Sequence, residues 1–429
     1  MKFIHLPSSS RTGALIELSR TLRGCRGPYE GLLIYCRYLR EAYPERGHIV
    51  LSTEGLAKGE YRVWRLLGDD GVERIEPRDP WEKLDLPVYR GGVLGRIVEM
   101  AAPHLVREID WSEDADFRGV LGGYQSMLAV PLFNAGLPLN WSLGLSRDAN
   151  SFTPGHLEES VTRATLIGSL LGSLHVSREL VNANAHIDAE LERMARIQRA
   201  LLPEPIPQIP GVQLAASYET FGQVGGDLYD FLPLKEDASR WCIFLGDASG
   251  HGPSAAVVAA MVQATLHDCA VDSAGPAELF GTLNQRLCRK RIEGSFVTAL
   301  LGFYEPSARR LCYASAGHPA PLHLSSGGGR TRYLDMAGGL PLGIEETAVF
   351  DEKTIELAPR ETLLLYTDGI TEARSSQRDM FGEKGLERAL AGYGGGAQGV
   401  IDQLRKTLTA HQQGTRPNDD QTMVALHVE

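Results

Sequence analysis

The chain has 429 residues, with 43 Lys and Arg against 54 Asp and Glu and a formal net charge of −11. Hydrophobic residues make up 43% and charged residues 23%, a globular composition that excludes collagen-like, disulfide-dense and wholly disordered chains. At roughly 100–200 residues per domain, two or three domains are expected, and the acidic balance argues against nucleic-acid binding, which needs clustered Lys and Arg.

Residues 1–155 mix helix and strand patterns. Arg11–Arg23 and Tyr29–Tyr43 carry helical apolar spacing. His48–Ser52 and Tyr61–Leu67 read as strands, Val93–Met100 as a short helix, and Ser126–Phe133 with Pro138–Leu145 as a hairpin around Asn134-Ala135-Gly136. Residues 156–202 contain no proline, and Leu180, Ile187, Met194 and Leu201 recur every seven residues. Val176, Ala183 and Ile197 fill most of the complementary seam and Glu190 breaks it. This is a short coiled-coil pattern, from which a homodimer through the 176–201 helix is expected; the plainer reading is one amphipathic helix packed on a single domain. Pro203, Pro205, Pro207 and Pro210 end the helix.

Residues 203–429 are dominated by strand-like runs: Val212–Tyr218, Trp241–Gly246, Phe296–Tyr304, Arg310–Ala316, Pro321–Leu324, Glu361–Thr367 and Met423–Val428. Helical blocks lie at Ser254–Asp268, Pro276–Arg289, Gly385–Ala391 and Gln398–His411. Gly392–Gly396 and Ser325–Gly329 read as loops. The order predicts sheet packed on sheet with helices outside. The six cysteines form no CxxC pair and read as reduced, buried thiols. Met1–Ser8 lacks the apolar core of a signal peptide, and no run approaches the roughly 18 apolar residues of a membrane span; a cytoplasmic protein is expected.

Four acidic islands stand where apolar runs meet tight turns: Gly225-Gly226-Asp227-Leu228-Tyr229-Asp230, Gly246-Asp247-Ala248-Ser249-Gly250-His251-Gly252, Tyr366-Thr367-Asp368-Gly369 and Asn418-Asp419-Asp420. Any one could be an ordinary turn. Together they form an oxygen-donor set suited to hard divalent cations. Without cations, close carboxylate pairs would repel by about 4 kcal/mol each at an effective dielectric of 20. Two such ions can lower the pKa of a bridging water and clamp phosphoryl oxygens.

With Gln198-Arg199-Ala200-Leu201-Leu202-Pro203, Phe296-Val297-Thr298-Ala299, Ala316-Gly317-His318-Pro319, Leu340-Pro341-Leu342-Gly343 and Asn418-Asp419-Asp420-Gln421-Thr422 in the same order, residues 195–429 resemble the SpoIIE/RsbU-like branch of the PPM-type serine/threonine phosphatases. The resemblance implies two Mn²⁺ or Mg²⁺ ions. Asp247 would bridge them, aided by the Ala248 carbonyl; Asp227, Asp368 and Asp419 would be the other catalytic ligands, and Asp420 an additional metal-site residue. Asp230 would hold outer-shell water or support the backbone. The resemblance further implies partner-switching signalling with a phosphorylated STAS-domain anti-sigma-factor antagonist as substrate. Glu219-Thr220-Phe221-Gly222-Gln223 has no basic group, so no phosphate-holding group other than metal is identified. His251 and His318 read as loop histidines, although His251 could also be considered as a general acid.

Ser126-Met127-Leu128-Ala129-Val130-Pro131-Leu132, Trp141-Ser142-Leu143-Gly144-Leu145 and Phe152-Thr153 before a long helix resemble the closing part of a GAF-type sensor domain, implying a central antiparallel sheet with helices and a small-molecule or protein signal. The alternative is a sheet domain that only mediates dimer contacts. The expected fold is thus α+β: a GAF-like domain at 1–155, a helical linker at 156–202 and a phosphatase β-sandwich flanked by helices (αββα) at 203–429. Competing functions are a pseudo-phosphatase scaffold, against which all four key carboxylates stand, and a metal-dependent nuclease or small-phosphate hydrolase, which fits neither the motif order nor the acidic charge.

Overall fold

A computed structural model describes residues 11–429 except 23, 26, 76–85, 135–136, 235–238, 291–293, 327–329 and 336–337. The expectations for Met1–Ser8, for Ala135 and Gly136 in the hairpin turn, and for 327–329 in the loop lie outside the described residues. Contacts divide the chain into units 1–185 and 186–429.

The N-terminal unit opens with α1 (Arg11–Leu22) and α2 (Pro28–Ala42), then β1 (Gly47–Ser52), β2 (Glu60–Leu67), β3 (Glu73–Ile75), β4 (Tyr89–Arg90), α3 (Gly92–Met100), β5 (His104–Arg107), α4 (Arg118–Leu121), β6 (Ser126–Asn134) and β7 (Leu137–Ser146). The strands pair antiparallel in the order β3-β2-β1-β7-β6-β5, with β4 also on β2. Strand alternation gives this sheet two apolar faces. Ile49, Leu51, Met127, Ala129, Trp141 and Leu143 pack with α3 residues Leu94 and Ile97. Their neighbours Val50, Leu128 and Val130 pack on the opposite face against Leu32 and Leu39 of α2 and Ala164 and Ile167 of the next helix.

That helix, α5, runs unbroken from Pro154 to Leu201. Its start carries a reciprocal cap: the His156 amide donates to Thr153 Oγ1 (3.3 Å) and the Thr153 amide to His156 Nδ1 (3.3 Å). The heptad seam is divided. Val176, Leu180 and Ile187 are 55–62% exposed, whereas Met194, with Leu191, packs against Ala195, Val224 and Ala256 of the C-terminal unit. The stretch read as a separate linker is therefore one helix whose first part belongs to the N-terminal core and whose last turns belong to the C-terminal one.

The C-terminal unit contains β8 (Val212–Glu219), β9 (Asp227–Pro233), β10 (Trp241–Ala248), α6 (Pro253–Cys269), α7 (Pro276–Lys290), β11 (Val297–Glu305), β12 (Arg310–Ala316), β13 (Leu322–Leu324), β14 (Thr331–Tyr333), β15 (Glu352–Glu356), β16 (Thr362–Tyr366), α8 (Asp368–Thr371), α9 (Gly382–Leu390), α10 (Ala397–Gln412) and β17 (Gln421–Val428). Two five-stranded sheets form, β15-β12-β11-β10-β9 and β14-β13-β16-β17-β8. Ile243, Leu245, Leu363, Leu365, Val424 and Leu426 fill the space between them. Phe244, Val262, Leu266 and Phe280 pack α6 and α7 outside the first sheet; Leu364, Leu386, Ile401 and Leu404 pack α9 and α10 outside the second. The expected αββα layering is what forms.

Strand β9 is absent from the sequence expectation because Asp230 interrupts its apolar run, and β15 because an alternating Glu-Lys-Thr-Ile-Glu edge has little apolar content. All six cysteines are free, but only Cys36, Cys242 and Cys269 are buried; Cys25, Cys288 and Cys312 are half-buried. Among the described residues no helix is long and apolar enough to cross a membrane. Leu245 is fully buried between the sheets and Val349 is 80% exposed. Leu245→Ala should destabilise the C-terminal unit by about 2–5 kcal/mol and Val349→Ala by less than about 0.5 kcal/mol, as measured by urea denaturation.

Candidate active site

The inter-sheet core ends in carboxylates. On β9 and β10 the residues facing the other sheet are Tyr229 and Phe231, and Ile243 and Leu245; by the two-residue period the next inward positions are Asp227 and Asp247. The two aspartates are directly paired across the strands. From the opposite sheet, the inward rows Leu363–Leu365 and Val424–Leu426 continue to Thr367 and Thr422. Thr367 Oγ1 donates to Asp227 Oδ2 (2.8 Å) and accepts from the Thr422 amide (3.1 Å). A single hydroxyl thus joins the two sheets at the acidic end.

Asp368 follows Thr367 as the first residue of α8, and Asp419 lies just before β17. Their approach depends on Gly369: a Cβ there would lie 2.0 Å from the Asp420 carbonyl oxygen. A Cβ on Gly226 would lie 2.5 Å from the Ala248 carbonyl oxygen, so only glycine lets the first acidic loop pass beside the oxygen expected to act as a ligand.

The carboxyls burden one another. Asp227, 1% exposed, has a strongly raised pKa, through burial first and the Asp247 charge second. Asp247 is pushed up to about 7 by burial and by Asp368, Asp419 and Asp420. Asp368 is raised by burial and by Asp419. Such groups need a compensating cation or proton, and the all-oxygen donor set fits Mg²⁺ or Mn²⁺. Among the described residues no three acidic, His or Cys side chains already surround a single point; Asp247, Asp368 and Asp419 are only half-buried, an exposure compatible with the waters these ions retain.

The structure distinguishes the paired acids. Asp420, 3% exposed, accepts the Phe221 amide on Oδ1 (2.7 Å) and the Gly226 amide on Oδ2 (2.6 Å). It clasps the 221–226 loop, whereas Asp419 is half-buried and its Oδ1 accepts the neighbouring Asp420 amide (2.9 Å). Asp230 faces away from the cluster, toward α6, where Gln263 Nε2 (2.8 Å) and His267 Nε2 (2.7 Å) meet its Oδ2 and the Phe231 amide (2.8 Å) its Oδ1. His318 is buried, with Nδ1 2.9 Å from Thr298 Oγ1 and its pKa depressed to about 3 by burial; it supports the strand opposite Asp247, whose register partner is Thr298. His251 is exposed and edge-on to Phe221, with ring centroids 5.8 Å apart.

Sequence reasoning assigned no role to Thr367, Thr422, Gln198 or Gln263. Gln198 Nε2 donates to the Gly225 carbonyl (2.7 Å) while its Oε1 accepts the Gly225 amide (3.1 Å), clamping the last turn of α5 to the first acidic loop. Gln263 also donates to the Leu201 carbonyl (2.6 Å). For Thr367, extending the Leu363–Leu365 alternation by two residues would have placed it on the inner face.

Residues 237–429 match the family model described as stage II sporulation protein E (SpoIIE). The chain is 28% identical over 190 residues to the phosphoserine phosphatase RsbU of Bacillus subtilis, covering 44% of this chain and 55% of that protein. It is 27% identical over 265 residues to protein IcfG of Synechocystis sp., covering 56% and 41% respectively. It spans about half the length of these curated relatives. The SiaA-PP2C domain of Pseudomonas aeruginosa shares the fold, at 23% identity and a TM-score of 0.52, over 58% of this chain and all of that one. The C-terminal unit thus has a PP2C-like fold, and most of it matches the SpoIIE family model.

Replacing Thr367 with Val would leave a buried Asp227 oxygen and the Thr422 amide without their shared partner. Thr367→Val should cost about 1–3 kcal/mol of stability in the C-terminal unit, measured by urea denaturation in the presence of EDTA.

Proposed function

We propose that the chain is a metal-dependent phosphoserine/phosphothreonine protein phosphatase. The observation that carries this reading is the Asp227–Asp247 pair at the open end of the inter-sheet core, with Asp368 and Asp419 brought to it by adjacent turns. Two bound Mn²⁺ or Mg²⁺ ions would supply a water of lowered pKa and a clamp for phosphoryl oxygens. Asp227, Asp247, Asp368, Asp419 and the Ala248 carbonyl would hold them. Asp247, raised by burial and then by three neighbouring carboxylates, would be the group shared by both ions. Asp420, already occupied by two loop amides, keeps Asp227 and Gly226 in position, and Thr367 fixes the Asp227 carboxylate. The open side of the cluster leaves a phosphorylated side chain room to approach.

By likeness to RsbU, the substrate we propose is a phosphorylated STAS-domain anti-sigma-factor antagonist in a partner-switching pathway. The N-terminal unit, an antiparallel sheet covered by helices on both faces, serves as a GAF-like sensor in this reading. Regulation would pass through α5, whose Gln198 grips the first acidic loop. The presence of all four carboxylates speaks against a pseudo-phosphatase.

Purified protein supplied with Mn²⁺ should release phosphate from a phosphoserine STAS-domain protein, and EDTA should abolish release; turnover surviving complete chelation would refute the metal mechanism. Asp247→Asn should lower turnover by about 100-fold or more, since it removes charge from both ions. Asp368→Asn and Asp419→Asn should follow. Asp420→Asn should lose less than Asp419→Asn, and the reverse order would make Asp420 the ligand.

The exposed Val176, Leu180 and Ile187 follow the heptad seam, and the occupant proposed for that seam is a second copy of the chain. Each Leu or Ile buried in a paired helix contributes roughly 1.5–3 kcal/mol. Light scattering should give a dimer for the natural sequence and a monomer for Ile187→Asp; a monomer in both cases rejects the paired helix.

A further inference from the structure

Among the described residues the sheet of the N-terminal unit ends in β5, which pairs only with β6. We propose that this edge is a docking site for an extended segment of another protein, one that adds a strand beside β5 and carries apolar side chains between basic ones. The inference is independent of the chemistry at the acidic site.

The first ground is the open edge. A strand at the end of a sheet presents alternate N–H and C=O groups that a further strand can pair. The four residues of β5 are half-buried or exposed, whereas the six of the central strand β1 are all buried. Edges are commonly blunted by charge, as in β15, where Glu352, Lys353 and Glu356 fill three of five positions. The centre of β5 is instead Leu105 and Val106.

The second ground is a groove beside that edge. It has a volume of about 380 Å³ and lies between α3, which contributes Val93, Ile97 and Met100, and the β5 segment, which contributes Val106 and Ile109. Met100 is 53% exposed. A bulge shapes the β5 side. Arg107 pairs with Ser126, but the next contact joins the Ile109 amide to the Gln125 carbonyl (3.2 Å). Glu108 is therefore an extra residue, and it is held at a left-handed φ of 53°. The insertion shifts the side-chain alternation, so Val106 and Ile109, three residues apart, both face the α3 side of the sheet. A strand added beside β5 sends every second side chain to that side, into the groove. Backbone pairing supplies affinity in such a mode and the groove supplies selectivity.

The third ground is charge. Glu99, Glu108, Asp110 and Arg96 complete the lining, three carboxylates against one guanidinium. Glu113 already engages Arg96, and Lys58 stands 3.5 Å from Glu99. Glu108 and Asp110 thus mark the β5 end of the groove as acidic, which favours a partner segment with Lys or Arg beside its apolar residues.

Fluorescence polarisation of the full chain with the labelled peptide Lys-Val-Thr-Val-Thr-Lys tests the assignment. Binding should saturate at one site per chain, half-complete below a concentration on the order of 0.5 mM. The charge-reversed Glu-Val-Thr-Val-Thr-Glu should bind about fivefold or more weaker, and Lys-Ser-Thr-Ser-Thr-Lys about tenfold weaker. Only alternate amides of an added strand face β5. N-methylation of both Val amides or of both Thr amides should therefore weaken binding about tenfold in one case and leave it within about twofold in the other. Met100→Lys should weaken the basic peptide about tenfold, and Glu108→Lys should narrow the ratio between basic and charge-reversed peptides about fivefold. Circular dichroism verifies folding, and Glu108→Lys, on the surface, keeps the test decisive where Met100→Lys fails to fold. No saturation at that concentration, equal binding of either control peptide, equal effects of the two N-methylations, or an unchanged ratio in folded Glu108→Lys would each overturn the assignment. So would a change of mass in light scattering on Met100→Lys, which would give the groove to a second copy of the chain.

Discussion

Crowding of carboxylates at one end of a β-sandwich is the constraint on which the C-terminal unit turns. An apolar core between two sheets can be extended along each strand only in steps of two residues, and here the step beyond Leu245 and Tyr229 is an aspartate on each of two paired strands. Burial first, then neighbouring carboxylates, raises both carboxyl pKa values: Asp247 for Asp227, and Asp368, Asp419 and Asp420 for Asp247. The fold tolerates that cost because the site is open to solvent at Asp368 and Asp419 and can accept compensating charge. Thr367 and the glycines at 226 and 369 belong to the same arrangement: one ties the opposing sheets together at the acids, the others let backbones approach where a side chain would collide.

Behind the acids lies a polar scaffold. Asp420 fastens the 221–226 loop by two backbone amides, Gln198 holds Gly225 by both its carbonyl and its amide, and Gln263 joins the Leu201 carbonyl to Asp230. Each of these buried groups would be costly to leave unpaired, so the final turns of α5, the first acidic loop and α6 are held as one body. A displacement of α5 at Gln198 therefore has a direct mechanical route to Asp227, two residues beyond Gly225.

The two units settle their buried charges differently. In the C-terminal unit carboxylates gather at one end of the inter-sheet core; in the N-terminal unit the buried Arg163 guanidinium is met by Glu159, Ser160 and the Tyr43 hydroxyl. The apolar framework differs accordingly. The N-terminal sheet is covered on both faces by helices, leaving polar groups trapped beneath α2 and α5, whereas the C-terminal sheets face one another and expose their polar end. The separation of catalysis from sensing proposed for this chain would follow from these two environments.

Strand and helix runs with unmixed periodicity were legible in the sequence: β10, β11, β16, α6 and α10 lie where apolar spacing puts them, within a few residues. So were the four acidic islands, because an Asp beside a Gly after an apolar run is a local pattern. Local pattern could not reveal β9, whose apolar run is broken by an aspartate that pairs with α6 residues far along the chain, nor tell Asp419 from Asp420, whose roles diverge through hydrogen bonds to residues about 200 positions away. The heptad in α5 was equally visible, yet its members meet different surroundings, since Met194 packs on Val224 and Ala256 while Leu180 and Ile187 stay exposed. By itself the sequence determined the αββα order of the C-terminal unit, the acidic donor set and the long helix before it, all of which depend on neighbours within a few residues. Tertiary structure alone decided which carboxylates face each other and which are consumed by backbone amides, because burial and partner geometry arise only when distant segments pack.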